Sequence, residues 1–454
     1  MIGVRAKLKL SFVNQPWTTA APPKGSDSTG IWSYQVSLYL SKYAYIIYYG
    51  CEDKDKFSGK KKESVTSGDR KGSPKAHRAI EYRAISPRLD KLLKIPKKIF
   101  TKLNFTTKLP YFGSAWFNFG YGWQVAKDAA RSNCDLIHIH NFSQFVPIIS
   151  DRLSSNGGKP KTKIVLHLHC EWVNRLEPTE IAPRLEKADL ILSCSDYVTN
   201  KIKARFPQYA QICRTVNNGV DANYFVSDPK IPRHNSNVPQ MLFVGRISPE
   251  KGIHDLIDAF IEVTQQYPQA RLTIAGPHIV VAKEFLFDLQ PEPEVQALKY
   301  FYSINYLEYI KSKIPAHLSS QVIFTGPLPQ EELLPYYQNA DLVINPSLSE
   351  AFGMTLVEAM ATQTPVIATT IGGMPEIVDD GVTGLLVDPG NPQAIAKAAI
   401  ELISDPDRAR AMGIAGRKKV ERRYCWSKIA ESLIDCYADI GVEFKSNVSS
   451  KAVA

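Results

Sequence analysis

Short apolar runs alternate with helix-like stretches along most of this chain. The runs are four to seven residues long and rich in Val, Ile, Leu and Tyr, which is typical of buried strands. The stretches between them repeat apolar residues at helical spacing, and this alternation predicts βαβ units with parallel sheets. Twelve strands are predicted, at residues 8–13, 43–49, 135–140, 163–169, 189–194 and 214–219 in the first half, and at 241–246, 271–276, 321–326, 341–346, 365–369 and 384–387 in the second.

The segment 226–240 separates the two sets of strands, and its richness in Pro, Ser and Asn predicts an interdomain linker. The predicted fold is therefore α/β, with two doubly wound Rossmann-like domains that face each other across a cleft. The first domain spans residues 1–225 and the second spans residues 241–422. Residues 423–440 have the periodicity of a C-terminal helix.

The region from about 51 to 117 departs from this alternation and is strongly basic, so it is predicted to be an insertion. Residues 54–108 hold 17 Lys or Arg against 5 Asp or Glu. Within the region, residues 89–103 place apolar side chains at helical spacing with lysines between them, a pattern that fits peripheral contact with an anionic membrane. A solvated helix face, interrupted at Pro96, explains the same pattern. No nucleic-acid-binding module accompanies the charge, so no nucleic-acid partner is expected.

Composition narrows the class of protein further. The chain has 454 residues, of which 44% are hydrophobic and 22% charged, as expected of a folded soluble protein. Its seven cysteines are scattered and form no Cys-x-x-Cys pair, which favours reduced thiols and a cytoplasmic location, with any membrane contact at the inner face. No Gly-x-Gly-x-x-Gly follows the first strand and no P-loop motif occurs, which argues against a nicotinamide dehydrogenase and a P-loop ATPase.

Two cations follow the strand predicted at 241–246. In the sequence "RISPEKG", Arg246 and Lys251 flank a Ser-Pro-Glu turn just ahead of a predicted helix. Ligands of open parallel sheets bind at the carboxyl ends of the strands, so these side chains are placed to hold a diphosphate. A solvated turn with Ser248 as the helix cap is the alternative, and the pair of cations alone does not decide between them.

A second stretch, "SLSEAFGMTLVEAM", places Glu350 before a predicted helix start at Gly353 and places Glu358 inside the helix. The amides of Met354–Leu356 would form an anion site at that helix start. The two carboxylates are separated by about 12 Å of helix axis, which suits a ligand with hydroxyl groups at both ends and phosphates between them. A nucleotide sugar has this layout. Taken singly, each carboxylate is explained as well by the helix dipole or by a surface ion pair.

Two further motifs complete the pattern: "NNGVD" at 217–221 and "GGMPEIVDDGVTGLLVDPGN" at 372–391. Together with the cations and the two glutamates, they resemble family 4 of the retaining glycosyltransferases, which have the GT-B fold. The resemblance extends over residues 189–437. It implies transfer of a hexosyl or related group from a nucleoside diphosphate sugar to a hydroxyl acceptor, with retention of anomeric configuration.

The resemblance also implies a role for each candidate residue. Arg246 and Lys251 would neutralise the departing diphosphate, so no metal or other cofactor is expected beyond the nucleoside diphosphate sugar as co-substrate. Glu350 and His169 would contact the donor sugar and complete the catalytic set. The donor-binding residues would be Gly30, Gly353, Met354, Thr355 and Leu356 at the diphosphate, Glu358 at the ribose, and Phe324 and Leu328 at the base. The helix at 423–440 would pack back on the first domain.

The histidines allow another interpretation. Two His-x-His pairs, His138/His140 and His167/His169, lie on consecutive predicted strands, and such pairs can bind zinc. Few carboxylates lie beside them and buried strand histidines are commonly structural, so no metal site is expected. Glu171 is a candidate carboxylate for the acceptor side. Two other functions stay open for this sequence, a nucleotide-sugar epimerase of the same fold and a catalytically silent nucleotide-sugar binding module.

Overall fold

The computed structural model of the chain describes residues 8–20, 28–52, 79–93, 111–154, 161–231, 238–280, 287 and 293–444. These residues belong to two compact units. The first unit comprises the ranges Met1–Ser193, Lys201–Val216 and Ala430–Ala454, and the second comprises Cys194–Asn200 and Asn217–Ile429. Each unit contains a parallel sheet flanked by helices, which confirms the predicted α/β class.

The first unit contains a seven-stranded parallel sheet. Its strands are β1 (Lys9–Val13), β2 (Tyr45–Cys51), β3 (Ile80–Ile85), β4 (Leu136–His140), β5 (Lys163–Leu168), β6 (Leu190–Ser193) and β7 (Cys213–Thr215). Their spatial order is β3-β2-β1-β4-β5-β6-β7. Because β1 pairs with both β2 and β4, the order of the strands reverses between β1 and β4, which is where doubly wound sheets bind ligands. The helices that precede the second sheet are α1 (Ser28–Leu40), α2 (Phe119–Ser132), α3 (Phe145–Ser154), α4 (Trp172–Arg175), α5 (Pro178–Leu185) and α6 (Asp196–Arg205).

Strand β3 is not predicted by the sequence pattern, because it lies in the basic region that this pattern assigns to an insertion. It pairs in parallel with β2, with Ile46 opposite Ile80 and Cys51 opposite Ile85. Its sequence "IEYRAI" alternates apolar and charged residues, as expected of an edge strand. The Tyr45 hydroxyl donates to Glu81 at 2.7 Å and so ties β2 to β3. The strand has only six residues and many lysines lie around it in the sequence, so its pattern of apolar residues does not stand out from that of a basic loop.

A six-stranded parallel sheet forms the second unit, in the order β10-β9-β8-β11-β12-β13. Its strands are β8 (Gln240–Val244), β9 (Arg271–Ala275), β10 (Val322–Gly326), β11 (Leu342–Asn345), β12 (Val366–Thr369) and β13 (Gly384–Val387). Its helices are α7 (Ile253–Gln266), α8 (Pro293–Ala297), α9 (Tyr306–Lys313), α10 (Leu334–Asn339), α11 (Met354–Ala361), α12 (Met374–Ile377), α13 (Pro392–Ser404), α14 (Pro406–Arg423) and α15 (Trp426–Ala438), the last of which continues into the first unit. The switch point of this sheet lies between β8 and β11.

The core of the second unit lies between its sheet and helices α7, α9 and α13. Fully buried apolar side chains from β8, β9 and these helices pack together there, including Phe260, Ile274 and Leu402. The helix faces that supply them repeat apolar residues at helical spacing, and this is the pattern from which the βαβ units are predicted. The core therefore fixes the loops that follow β8 and β11 on one edge of the sheet.

Each of the twelve predicted strands overlaps an observed one. The predicted linker includes residues 232–237, which lie outside the described residues. The amphipathic pattern at 89–103 lies inside them only up to residue 93, where residues 88–93 are helical. None of the described helices is both long and apolar enough to cross a membrane.

Candidate functional site

The loop after β8 lies against the loop after β11. A short 3-10 turn ends at Lys251 and is followed by Gly252, whose φ of 65° is in the left-handed region. A Cβ at Gly252 would overlap the carbonyl oxygen of Pro346. The amide of Leu348 donates to the carbonyl oxygen of Glu250 at 2.9 Å. The switch point of the second sheet thus brings together residues about one hundred positions apart.

Lys251 and Glu350 form an ion pair across these two loops. The Lys251 Nζ donates to Oε2 of Glu350 at 2.7 Å, and the side chains are only 15% and 18% exposed. Burial opposes ionisation of Glu350, but Lys251, the amide of Phe352 and the charge of Arg246 outweigh it and hold its pKa below the ordinary value. Glu350 is therefore ionised near neutral pH and keeps the lysine in place.

Arg246 is paired with a buried carboxylate that the sequence analysis missed. Its Nη2 donates to Oε1 of Glu250 at 3.1 Å, while the Arg246 side chain stays 41% exposed. Glu250 is buried and accepts two more hydrogen bonds, from the Ser248 hydroxyl and from the Tyr302 hydroxyl, each at 2.7 Å. The sequence could have pointed to Glu250, because it lies four residues after Arg246 and carries a carboxylate. Nothing in the sequence pointed to Tyr302, which lies between β9 and β10.

Helix α11 begins as predicted, at Gly353. This glycine has φ +112°, a conformation that L side chains rarely adopt. The amide of Leu356 donates to the carbonyl oxygen of Gly353 at 3.1 Å, so this amide is already used within the first turn. Among the described residues, no hydrogen-bond acceptor lies at the amides of Met354 and Thr355. The helix start thus presents two free amides rather than the three that were predicted.

The loop that carries Glu350 rests on two glycines of the predicted "GGMPE" motif. Gly372 has φ +65°, and a Cβ there would overlap the carbonyl oxygen of Glu350. A Cβ at Gly373 would lie 2.6 Å from the carbonyl oxygen of Ala351. The Ser195 hydroxyl donates to that same carbonyl at 2.7 Å. The motif therefore supports the backbone beneath Glu350.

Glu358 is buried inside α11, so the interpretation of this residue as a surface ion pair is wrong. Its Oε1 accepts from Gln330 at 2.6 Å and its Oε2 accepts from the Tyr337 hydroxyl at 2.7 Å. Burial raises the pKa of this carboxyl, although both hydrogen bonds act in the opposite direction. Each carboxylate oxygen has a second lone pair, so a ligand hydroxyl could still donate to it.

The region predicted to contact the base follows β10. The Phe324 side chain packs against the core of the second unit, and Leu328 is half-buried. The carbonyl oxygen of Gly326 accepts from the amide of Gly276 at 3.1 Å. The ring of Phe324 is thus used in packing, and contact of residues 324–328 with the base stays a prediction. The same loop continues to Gln330, whose side chain donates to the Glu358 carboxylate of α11.

In the first unit, the helix that carries Gly30 packs on the histidines. Gly30 lies in the first turn of α1 and its carbonyl oxygen accepts from the Tyr48 hydroxyl at 3.5 Å. The ring of Trp32, from the same helix, lies 4.6–5.6 Å from all four histidine rings. Nε2 of His169 is 3.0 Å from Nδ1 of His140, so a hydrogen bond fixes the orientation of the predicted catalytic imidazole.

Glu171 is a buried carboxylate held by two cations. Lys201 donates to its Oε2 at 2.8 Å and Arg175 lies 3.5 Å from the same oxygen.

The predicted residues fall into two groups, each within one unit. Arg246, Lys251, Glu350 and the start of α11 gather in the second unit, while Gly30 and His169 are linked through Trp32 in the first.

The buried histidines are the described residues that come nearest to a metal site. His138, His140 and His167 offer ring nitrogens within 4.8 Å of one another. Both nitrogens of His138 are already engaged, Nδ1 with the Tyr437 hydroxyl at 2.6 Å and Nε2 with His167 at 3.2 Å. All three rings are fully buried, and none of the carboxylates in the described ranges shifts their pKa. A dication there would lose its hydration with no anion to compensate, so the donor set fits a metal poorly. The absence of a metal stays a prediction.

Because of these buried histidines, we expect the stability of the fold to decrease at acidic pH. Burial, and then the neighbouring histidines, lower the pKa of His138, His140 and His167 well below 6.5, whereas the unfolded chain titrates near that value. As the pH falls through 6.5 the unfolded state binds more protons than the folded state, so the free energy of unfolding decreases. We expect urea unfolding midpoints to fall between about pH 7 and pH 5.5. His167→Gln should flatten this slope and His317→Gln, at an exposed site, should not; equal slopes would contradict the prediction.

Two family descriptions match the chain, one for each half. Residues 77–224 match Glycosyltransferase Family 4 and residues 227–419 match Glycosyl transferases group 1. A relative from Bacillus subtilis, the putative glycosyltransferase YtcC, is 28% identical over 70% of this chain and 76% of its own length. The D-inositol 3-phosphate glycosyltransferase of Corynebacterium urealyticum is 31% identical over 56% of this chain and 58% of its own length.

Solved structures of the same fold cover nearly the whole chain. Anabaena Alr3699/HepE in complex with UDP and glucose matches with a TM-score of 0.65 at 18% identity, over 95% of this chain and 99% of its own. Sucrose-phosphate synthase from Thermosynechococcus elongatus matches with a TM-score of 0.64 at 20% identity, over 96% and 99%. The two sheets, the matched families and these structures agree with the resemblance found in the motifs. The chain belongs to the family 4, group 1 glycosyltransferases and has their GT-B fold.

Proposed function

We propose that the protein is a retaining, metal-independent glycosyltransferase that moves a hexosyl or related group from a nucleoside diphosphate sugar to a hydroxyl acceptor. One observation carries the proposal. Arg246 and Lys251 follow β8, Lys251 is joined to the β11 loop by an ion pair, and that loop leads to a helix start with two free amides. Cations and amide dipoles gathered at one switch point suit a diphosphate.

The two cations are held before any ligand arrives. Glu350 holds Lys251, and Glu250 holds Arg246. When the bond between the anomeric carbon and the phosphate oxygen breaks, negative charge grows on the diphosphate. Fixed positive groups stabilise that charge without reorganising, and stabilisation of this kind supplies most of the rate enhancement in many enzymes. In this proposal Arg246 and Lys251 supply that positive charge, so the transfer does not require a divalent metal.

Retention follows if the acceptor attacks on the face that the diphosphate leaves. The acceptor oxygen then bonds to the anomeric carbon, and its proton passes to the departing phosphate oxygen. A double displacement would instead need a carboxylate nucleophile against the opposite face of the sugar. Glu350 is engaged with Lys251 at 2.7 Å, which favours a role in holding that lysine and contacting a sugar hydroxyl. His169, oriented by His140, is the proposed contact from the first unit.

The donor is proposed to carry a uridine diphosphate. The support is that one of the structures of the same fold holds UDP and glucose. The names of the similar relatives include transferases to inositol phosphate and a synthase of glycogen, which are different acceptors, so the acceptor is proposed only as a hydroxyl group.

A thermal shift experiment tests the donor site. Purified protein is heated with UDP, GDP or ADP, and with their common sugar conjugates. A ligand present at about one hundred times its dissociation constant adds about 2.7 kcal/mol of stability. We expect UDP and its sugar conjugates to raise the melting temperature, and Arg246→Ala to remove most of that increase; a shift with GDP or ADP compounds alone would contradict the uridine assignment. Arg271→Ala, at an exposed position of the same sheet, is the matched control. No shift with any nucleotide would contradict the proposal.

A further inference from the structure

Two neighbouring segments of the first unit expose large apolar side chains. Leu92 is 63% exposed, Trp116 is 67% exposed and Trp123 is 44% exposed. Isolated exposed apolar residues are common, but exposed tryptophans are not, since this side chain is usually largely buried. We call Leu92, Trp116 and Trp123 the tryptophan face.

The segments that carry these side chains meet at the start of α2. The ring of Trp116 lies 5.5 Å from that of Phe119, and Phe119 and Trp123 are four residues apart on the same side of the helix. The helical turn at 88–93 is anchored beside them. Asp90 in that turn accepts hydrogen bonds from the amides of Gly120–Tyr121 at 2.7 and 2.8 Å. The turn that carries Leu92 is therefore fixed at the beginning of the helix that carries Trp123.

The charge around the tryptophan face is positive. The described residues 88–93 and 111–131 contain four Lys or Arg and two Asp or Glu. Both acidic residues are engaged within the unit, Asp90 with the two helix amides and Asp128 with Tyr49 and Arg83. Lys91 is exposed in the turn at 88–93, and the Lys127 ammonium lies 5.2 Å from the ring centre of Trp123. Within the described part of residues 88–131, the basic groups at the surface thus have no free carboxylate among them.

We propose that the tryptophan face and its lysines dock the protein on an anionic lipid bilayer. Tryptophan is favoured at the level of the lipid headgroups, where its ring is apolar and its N–H can still donate. Lysines next to the rings would be attracted by the negative surface of the leaflet. An acidic protein partner would need a matching pocket for each ring, whereas a fluid bilayer accepts separately projecting side chains without such a match. This favours lipid over protein as the partner.

Vesicle flotation tests the docking without a donor or an acceptor, so it stands apart from the proposed function. The full chain is mixed with vesicles of phosphatidylcholine alone, or of equal parts phosphatidylcholine and phosphatidylglycerol. We expect binding to the mixed vesicles and little to the neutral ones. The double variant Trp116→Ser/Trp123→Ser should bind roughly tenfold more weakly, because it removes most of the apolar surface that would enter the headgroup layer. Lys91→Ala/Lys127→Ala should lose roughly fivefold per lysine at low salt.

Tyr300→Ser is the matched control, since Tyr300 is an aromatic residue 63% exposed on the second unit. It should bind like the unchanged protein. Circular dichroism and melting temperature show whether each variant is folded. Equal binding to both vesicle types, unchanged binding of the tryptophan variant, or an equal loss in Tyr300→Ser would each overturn the proposal. Failure of the unchanged protein to float with anionic vesicles would do the same, and would leave an acidic protein as the partner to examine.

Discussion

Replacing Arg246 with alanine should lower turnover at saturating donor by about 10²–10³-fold, the loss found when one preorganised donor to a developing charge is removed. In the free protein Arg246 is the more exposed of the two cations, so its removal should leave the fold intact. The substitution removes one hydrogen-bond donor from the buried Glu250, which still accepts from the hydroxyls of Ser248 and Tyr302. The expected cost in stability is therefore only about 1–3 kcal/mol. Initial rates with the donor found by thermal shift, together with urea unfolding, measure both quantities.

Two variants sharpen this test. Arg246→Lys keeps the charge but loses the planar fork, so we expect a loss between that of alanine and none. Arg271→Ala removes an arginine from the same sheet away from the loop after β8 and should leave turnover unchanged. Near-normal turnover in folded Arg246→Ala would remove this residue from the proposed mechanism, whatever the stability of the variant.

Much of the fold was predictable because its strands are apolar runs of ordinary length. β11 and β12, for example, are wholly buried, and three of the four residues in each are apolar. β3 failed for the opposite reason. As an edge strand it needs an apolar residue only at alternate positions, and Glu81 and Arg83 made it look like part of the basic region around it. A strand that is half polar, six residues long and set among lysines has too little pattern to be distinguished from a loop.

The candidate site was predictable in its parts but not in its pairings. Arg246, Lys251 and Glu350 were found because each follows a strand, where parallel sheets bind ligands. The contact of Lys251 with Glu350 depends on β8 and β11 being neighbours in the sheet. The local pattern of apolar and polar residues does not reveal the order of strands in a sheet. The partners of Glu358, Gln330 and Tyr337, are hidden for the same reason.

The pairings also explain why buried carboxylates are tolerated in this region. An isolated buried carboxylate is costly, but one that accepts several hydrogen bonds from fixed donors is not. Glu250 has three such donors, and Glu358 has two. In both cases a tyrosine hydroxyl is among them. The two carboxylates can thus remain in place before a ligand binds, which is what preorganisation of the site requires.

Gly372→Ala should be the most damaging single-methyl change near the site, and Gly381→Ala provides its control. Both glycines have a positive φ, of 65° and 72°, so an added Cβ strains the backbone of each by about 1–2 kcal/mol. At Gly381 nothing lies within 4 Å of that Cβ, whereas at Gly372 it would overlap the carbonyl oxygen of Glu350. Overpacking against backbone adds about 1–3 kcal/mol.

We therefore expect Gly372→Ala to lose about 2–5 kcal/mol of unfolding free energy and Gly381→Ala about 1–2 kcal/mol. Turnover should separate them further. Relief of the overlap at residue 372 must move the backbone of Glu350, and with it the ion pair that holds Lys251. The folded fraction of Gly372→Ala should thus turn over slowly, while Gly381→Ala keeps its rate. Equal stability losses and equal rates in the two variants would mean that Gly372 serves only its own backbone conformation and does not support the ion pair of Lys251 with Glu350.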